Sequence, residues 1–323
     1  MATDPYPRLV NAANMRARFI MEMAAGMVAD DDQIYREPEL TIGVTAGEGV
    51  PVHLSASSTV DGIERVAGGE IDLCFINPSS ALTVAYRGAG TRFTEPQPVR
   101  AVTVLPSRDQ CMFAVHPSTG LTHIEDIGRE KYPLTLGMRG HADHWLNIMI
   151  DDIFHAAGFS LAELESWGGE VRRAGHIPRP DTQKFKDLVA GELTGVFDEG
   201  VHSWADFVVP AGLTALKLEE ETVRRLEEMG YRRDLLPKAV YPSLPEDILT
   251  LDFSGWPVFV REDADDDMVR RFCMGLQARK DAIPWEGTGP LPLERMCCDT
   301  PEAPLGAPLH PAAEKFWASC GYL

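Results

Sequence analysis

Two stretches of this chain follow one plan, and they limit what it can fold into more than any other feature. Residues 63–77 read IERVAGGEIDLCFIN, and residues 185–199 read FKDLVAGELTGVFDE. Each is a helical run stopped by Gly-Glu, then a short apolar β run, then a polar tip. Recurrence of this unit in both halves predicts duplicated α/β lobes.

The rest of the chain fits that frame. β runs are expected at Leu40–Thr45, Val52–Ala56, Ala101–Leu105, Cys111–Val115, Leu134–Met138, Ile248–Phe253 and Val258–Val260, with helices at Ala12–Val28, Asp143–Ala157, Glu219–Met229 and Asp265–Lys280. Thr122-x-x-Glu125 reads as a capping box. Residues 231–246 read as turns, and the Pro- and Gly-rich tail 284–311 as a surface wrap before a last short helix. Alternating strands and helices predict mainly parallel sheets covered on both faces.

At 323 residues with 44% hydrophobic types the chain has material for about two domains. A net charge of −19 argues against nucleic acid or an anionic membrane as partner, since both need clustered Lys and Arg. No run is apolar enough to span a bilayer, so no direct membrane insertion is expected. The six cysteines match no disulfide framework or zinc motif, and neither a metal nor a cofactor is expected.

In sheets of this kind ligands sit at the carboxyl ends of strands beside helix starts. That rule selects Ser57, Ser58, Thr59, Asn77, Ser79, Ser80, Arg139, His141, Glu199 and His202, with Arg108 on a turn between two strands. A helix start with free N–H groups and a guanidinium fork both suit a carboxylate, so a small anionic organic ligand is expected. Capping alone would equally explain Ser58 or Thr59. Trp145 and Trp204 are expected either to wall the cleft or to lie in the core.

The C-terminal third adds a specific signal. Its order is Leu216-Lys217-Leu218, Gly230-Tyr231, Pro237-Lys238-Ala239-Val240-Tyr241, Leu249-Thr250-Leu251, Val260-Arg261, Asp263–Asp267, residues 308–316 (PLHPAAEKF) and Gly321. Over about residues 40–323 this resembles the TAXI family of solute-binding proteins, receptors of certain TRAP transporters. The resemblance implies a two-lobed type II periplasmic-binding-protein fold. It also implies a small organic acid or amino acid as ligand and a membrane permease as partner. One lobe would be residues 1–117 with 247–323 and the other 118–246, hinged near His116–Thr119 and Leu244–Ile248. Three places depart from the family pattern. These are the short turn Thr45–Gly49, His141 to His144 at a helix start, and Asn77-Pro78-Ser79 at a strand tip.

A second reading is a cytoplasmic lyase or decarboxylase on the same fold, handling protons with His141, His144, Glu199 and His202. Residues 1–30 carry no secretion signal. The location expected is the periplasm if a signal precedes Met1 in the natural precursor, and otherwise the cytoplasm.

Overall fold

The protein is described by a computed structural model covering residues 12–29, 38–43, 51–57 and 59–323. Ser58 and the turn Thr45–Gly49 lie outside the described residues. In chain order the first half comprises α1 (Ala12–Ala29), β1 (Glu39–Ile42), β2 (Val52–Ser57), α2 (Asp61–Gly68), β3 (Leu73–Ile76), α3 (Ser79–Arg87), β4 (Val99–Leu105), β5 (Met112–Val115), α4 (Ile124–Glu130), β6 (Thr135–Met138) and α5 (Trp145–Ala157). There follow α6 (Leu161–Ser166), β7 (Glu170–Arg173), α7 (Gln183–Ala190), β8 (Gly195–Asp198), α8 (Ala205–Val208), β9 (Thr214–Leu216), α9 (Glu220–Met229), β10 (Arg233–Leu236), β11 (Ile248–Leu251), β12 (Trp256–Arg261), α10 (Asp266–Arg279), α11 (Leu293–Met296) and α12 (Pro311–Ser319). No helix among the described residues is long and apolar enough to cross a membrane.

The strands form two five-stranded sheets, ordered β1-β2-β3-β12-β4 and β7-β6-β8-β5-β9, with β10 and β11 as a separate pair. The repeated sequence unit sits at matching places. α2 stops at Gly69 and α7 at Gly191, both left-handed with φ 75°, and each glycine leads into the central strand of a sheet, β3 or β8. A left-handed position after a helix is where glycine carries no Cβ penalty.

The sheets are mixed, not mainly parallel. β12 runs antiparallel to both β3 and β4, and β5 antiparallel to both β8 and β9. The reason is connectivity. β5 is where the chain leaves the first lobe and β12 is where it returns, so each crosses its sheet against the local direction. This exchange of one strand per lobe gives the two-lobed α/β arrangement of the type II periplasmic-binding-protein kind. β1 adds a third antiparallel edge, paired with β2 through Leu40 and Leu54.

The crossings fall at residues 106–111 and 252–255, before His116–Thr119 and after Leu244–Ile248, where the sequence suggested them. They run side by side. Phe253 N donates to Asp109 O at 3.0 Å, Gly255 N to Ser107 O at 2.9 Å and Cys111 N to Leu251 O at 3.2 Å. Gly255 has φ +78°, and a Cβ there would meet Ser79 Oγ, with Pro304 Cδ at 2.6 Å and Val104 Cγ1 at 3.0 Å. We expect Gly255→Ala to lower the unfolding free energy by about 2–4 kcal/mol, from positive-φ strain plus overpacking. Urea unfolding checks this, and a change below about 0.5 kcal/mol, the usual range of a surface substitution, would contradict the tight approach.

Two local differences from the sequence reading have simple causes. The capping box at α4 starts one residue later. His123 is the N-cap, and the Asp126 carboxylate accepts from His123 N at 2.8 Å and Thr122 N at 3.1 Å. Glu125 is left to accept from Glu219 N at 3.1 Å. The tail does not merely wrap the surface. Leu293, Met296 and Trp317 are buried, and Trp317 Nε1 donates to Val102 O at 2.9 Å, so the tail forms part of the first lobe's core.

Candidate functional site

Polar residues gather where the two lobes meet, at the tips of β3, β6 and β8 and along the first crossing. The lobes touch directly. Thr59 forms an isolated antiparallel bridge with His144, and Val60 N donates to Asp143 O at 3.2 Å. Ser57 does not cap α2. Its Oγ lies 2.9 Å from Thr59 Oγ1 and accepts from Thr59 N at 3.1 Å. The N-cap of α2 is Val60, with no side-chain bond to the helix.

Arg139 follows β6 and is buried, 2% exposed. Its Nε donates to Asp198 Oδ1 at 2.7 Å, one Nη to Glu199, and the other lies 2.9 Å from His176 Nε2. Lys184 reaches the same aspartate, 3.5 Å from Asp198 Oδ2, and donates to Met138 O at 3.1 Å. Burial lowers the Lys184 pKa, against the pull of Asp198. The guanidinium thus holds the β8 tip through its own carboxylates.

Glu199 connects this cluster to the crossing. Asp109 accepts from Gly200 N at 3.0 Å and from Gln110 N at 2.7 Å, and it hydrogen-bonds Glu199. Burial, then the adjacent Glu199 charge, push Asp109 up to about 9. Burial also raises Glu199, with Arg139 opposing. Asp109 therefore keeps its proton at neutral pH and donates it to the Glu199 carboxylate. The Arg139 donors are thus engaged by Asp198, Glu199 and His176 of the same lobe, with Lys184 beside Asp198.

The histidines sit in different surroundings. His144 is buried, its Nδ1 accepts from Leu146 N at 3.2 Å, and burial followed by Arg139 lowers its pKa to about 3. His176 is lowered to about 4, again chiefly by burial. His141 caps the turn with its carbonyl, which accepts from His144 N at 3.1 Å. His202 lies on an exposed single turn, and no hydrogen bond among the described residues joins it to the other three.

The atoms that lack partners lie elsewhere. α3 begins after Pro78 with no side-chain cap. Around that start Asn77 Oδ1, Ser79 Oγ and Ser80 Oγ are buried without a hydrogen-bond partner among the described residues. Ser79 and Ser80 are 3% and 7% exposed. At the start of α5, Trp145 Nε1 and Asn147 Oδ1 are likewise unpartnered, although Asn147 Nδ2 donates to Arg139 O at 3.3 Å. Tyr231 lies beside the start of α5, one residue after a glycine that lies against α3. Its ring stacks on Trp145 at 6.2 Å, and the preceding Gly230 packs against Thr83 of α3. Tyr231 is itself fixed by donating to Asp152 at 2.6 Å.

Of the remaining residues singled out from sequence, Arg108 is part of the crossing. It pairs with Asp252 at 2.7 Å and Asp234 at 2.5 Å and donates to Ser254 Oγ at 3.1 Å. Trp204 lies in the core beneath the second sheet, its Nε1 donating to Glu199 O at 2.7 Å. Sequence reasoning missed Asp109, His176, Lys184 and Asn147. These become neighbours of the strand tips only in the folded chain.

The sequence matches no protein-family model and no curated protein. Solved structures with similar folds include a periplasmic transporter structure, at 15% identity with 77% of this chain and 74% of that chain covered and a TM-score of 0.32. An ancestral arginine-binding protein bound to arginine is 12% identical, covering 68% and 70% at a TM-score of 0.30. The substrate-binding protein of an amino acid ABC transporter is 9% identical, covering 64% of each chain at a TM-score of 0.28.

Proposed function

We propose that this protein binds a small organic acid between its lobes, with the acid group at the start of α3. The observation carrying this reading is the set of unpartnered buried atoms there. Buried polar groups in folded proteins are almost always hydrogen-bonded. Two serine hydroxyls at a helix N-terminus without a side-chain cap on one lobe, with the Trp145 N–H on the other, supply donors suited to a carboxylate. Asn77 and Asn147 supply acceptors for a hydroxyl or amine on the same ligand. The Arg139 guanidinium, engaged by Asp198 and Glu199, then acts as a brace for the β8 tip and not as the acid anchor. Entry requires the Thr59–His144 contact to part, with bending at the paired crossings.

The ordered tail motifs support a receptor role of the TAXI kind, delivering its ligand to a TRAP-type permease. The buried, neutral state of His144 and the isolation of His202 favour binding over catalysis.

A thermal-shift screen of carboxylates and amino acids tests the reading. We expect at least one acid to stabilise the protein by about 2.7 kcal/mol at a hundredfold excess over its Kd. Ser80→Ala should weaken that acid about tenfold, the usual worth of a hydrogen bond to a charged group. Undiminished affinity in Ser80→Ala and Trp145→Phe would place the ligand elsewhere. Recovery of the acid unchanged after long incubation separates binding from turnover.

A further inference from the structure

The first sheet is covered unevenly. On one face lie α2 and α3, packed on side chains such as Cys74, Ile76 and Phe259. On the other face Leu73, Val258 and Val260 meet α10, α11 and α12. That second cover stops short of the β1 edge and leaves an open apolar cavity of about 510 Å³. Its floor includes Leu40, Leu54, Phe75 and Val258, and its wall Phe272 and Leu276 of α10. The opening runs out along β1, where Leu40 is 40% and Ile42 56% exposed.

The chain also has a helix with the opposite deficit. Every described side chain of α1, residues 16–26, is exposed, including Phe19 at 65% and Ile20 at 61%. Phe19, Ile20 and Met23 share one helix face by their i, i+1, i+4 spacing, while Arg18 and Glu22 pair on the far side at 3.8 Å. A sheet of this class buries both faces under helices, and an apolar helix stripe needs a partner. The two deficits lie close in sequence. β1, at the cavity rim, begins ten residues after α1 ends, and the nine residues 30–38 span up to about 30 Å when extended.

We propose that α1 docks its Phe19–Ile20–Met23 face into this cavity beside α10 of the same chain, completing the helix layer over the β1–β2–β3 edge. Apart from Ser55 and Thr103 the lining is apolar and carries no charge, so the occupant is recognised by shape and burial and not by charge. It is separate from the interlobe site and stands whether or not that site binds an acid.

Hydrogen exchange on the full chain tests this, with Phe19→Asp/Met23→Asp compared against Arg18→Asp/Glu22→Arg on the far helix face. Docking predicts that the first pair speeds exchange of residues 266–279 and 52–57 at least tenfold and raises binding of an apolar dye severalfold. The second pair should leave both near the parent. Leu276→Asp should reproduce the first pair and also speed exchange within residues 12–29. Exchange in these segments indifferent to the first pair overturns the proposal. So does protection that falls on dilution as a dimer dissociates, which would assign the cavity to a second copy. Sedimentation of the parent but not Phe19→Asp/Met23→Asp with neutral lipid vesicles would assign α1 to a membrane surface and overturn it as well.

Discussion

Arg139→Met is expected to lower the unfolding free energy by about 3–5 kcal/mol, the largest loss of any single substitution at the lobe junction. The residue is 2% exposed and its main partner Asp198 is fully buried. Removing the guanidinium leaves Asp198 and Glu199 with only Lys184 as a counter-charge, at 3.5 Å from Asp198. A buried carboxylate without a partner is strained toward its protonated form. The loss should therefore be smaller at pH 5 than at pH 8, because the orphaned carboxylates take up protons as pH falls. Arg139→Lys should rescue little. One ammonium cannot meet Asp198, Glu199 and His176 in the planar fork that Arg139 uses. Chemical denaturation of the three proteins at both pH values decides the matter. A loss near zero, or one independent of pH, would mean the cluster does not brace the β8 tip.

Asp109→Asn is expected to change the pH dependence of stability more than any other substitution. Asp109 is raised from 3.8 to about 9, first by burial and then by Glu199. Between those values the folded chain holds a proton that the unfolded chain releases. The contribution is fully present below about pH 4 and is lost as pH rises toward 9, at no more than about 1.4 kcal/mol per pH unit. The Asp252 carboxyl of the crossing, raised to about 6 by burial, is present in both proteins. The difference between variant and parent thus reports Asp109 together with its buried neighbour Glu199. Asparagine reproduces the protonated acid, since its amide can donate to Glu199 while its oxygen accepts from Gly200 N and Gln110 N. The variant should match the parent near pH 3, exceed it at pH 8, and show the flatter profile. Parallel profiles would show that Asp109 is ionised in the folded protein.

The local signals read from sequence were those set by neighbouring residues. The helix, Gly-Glu, strand units appear as α2 with β3 and α7 with β8 because amphipathic period and a left-handed glycine act within one turn. Elements without such signals went unread. β7 is Glu-Val-Arg-Arg on a sheet edge, and β10 is Arg-Asp-Leu-Leu in a two-stranded pair, so neither needs apolar alternation. α6 spans only six residues behind its Ser160 cap.

For the candidate site, the sequence located the strand tips but not what they hold. Asn77, Ser79, Arg139 and Glu199 could be placed at carboxyl ends of strands by a general rule. Which of them are engaged and which are unpartnered depended on pairings far apart in sequence. Asp109 meets Gly200 across 91 residues, and Arg139 meets Glu199 across 60. Such contacts follow from the exchange of β5 and β12 between the sheets, and no local periodicity encodes it. The sequence by itself determined two α/β units and an acidic composition. The tertiary structure decided that Arg139 is neutralised within the protein and that the unpartnered donors lie at α3, because only the folded chain sets which charges share a buried space.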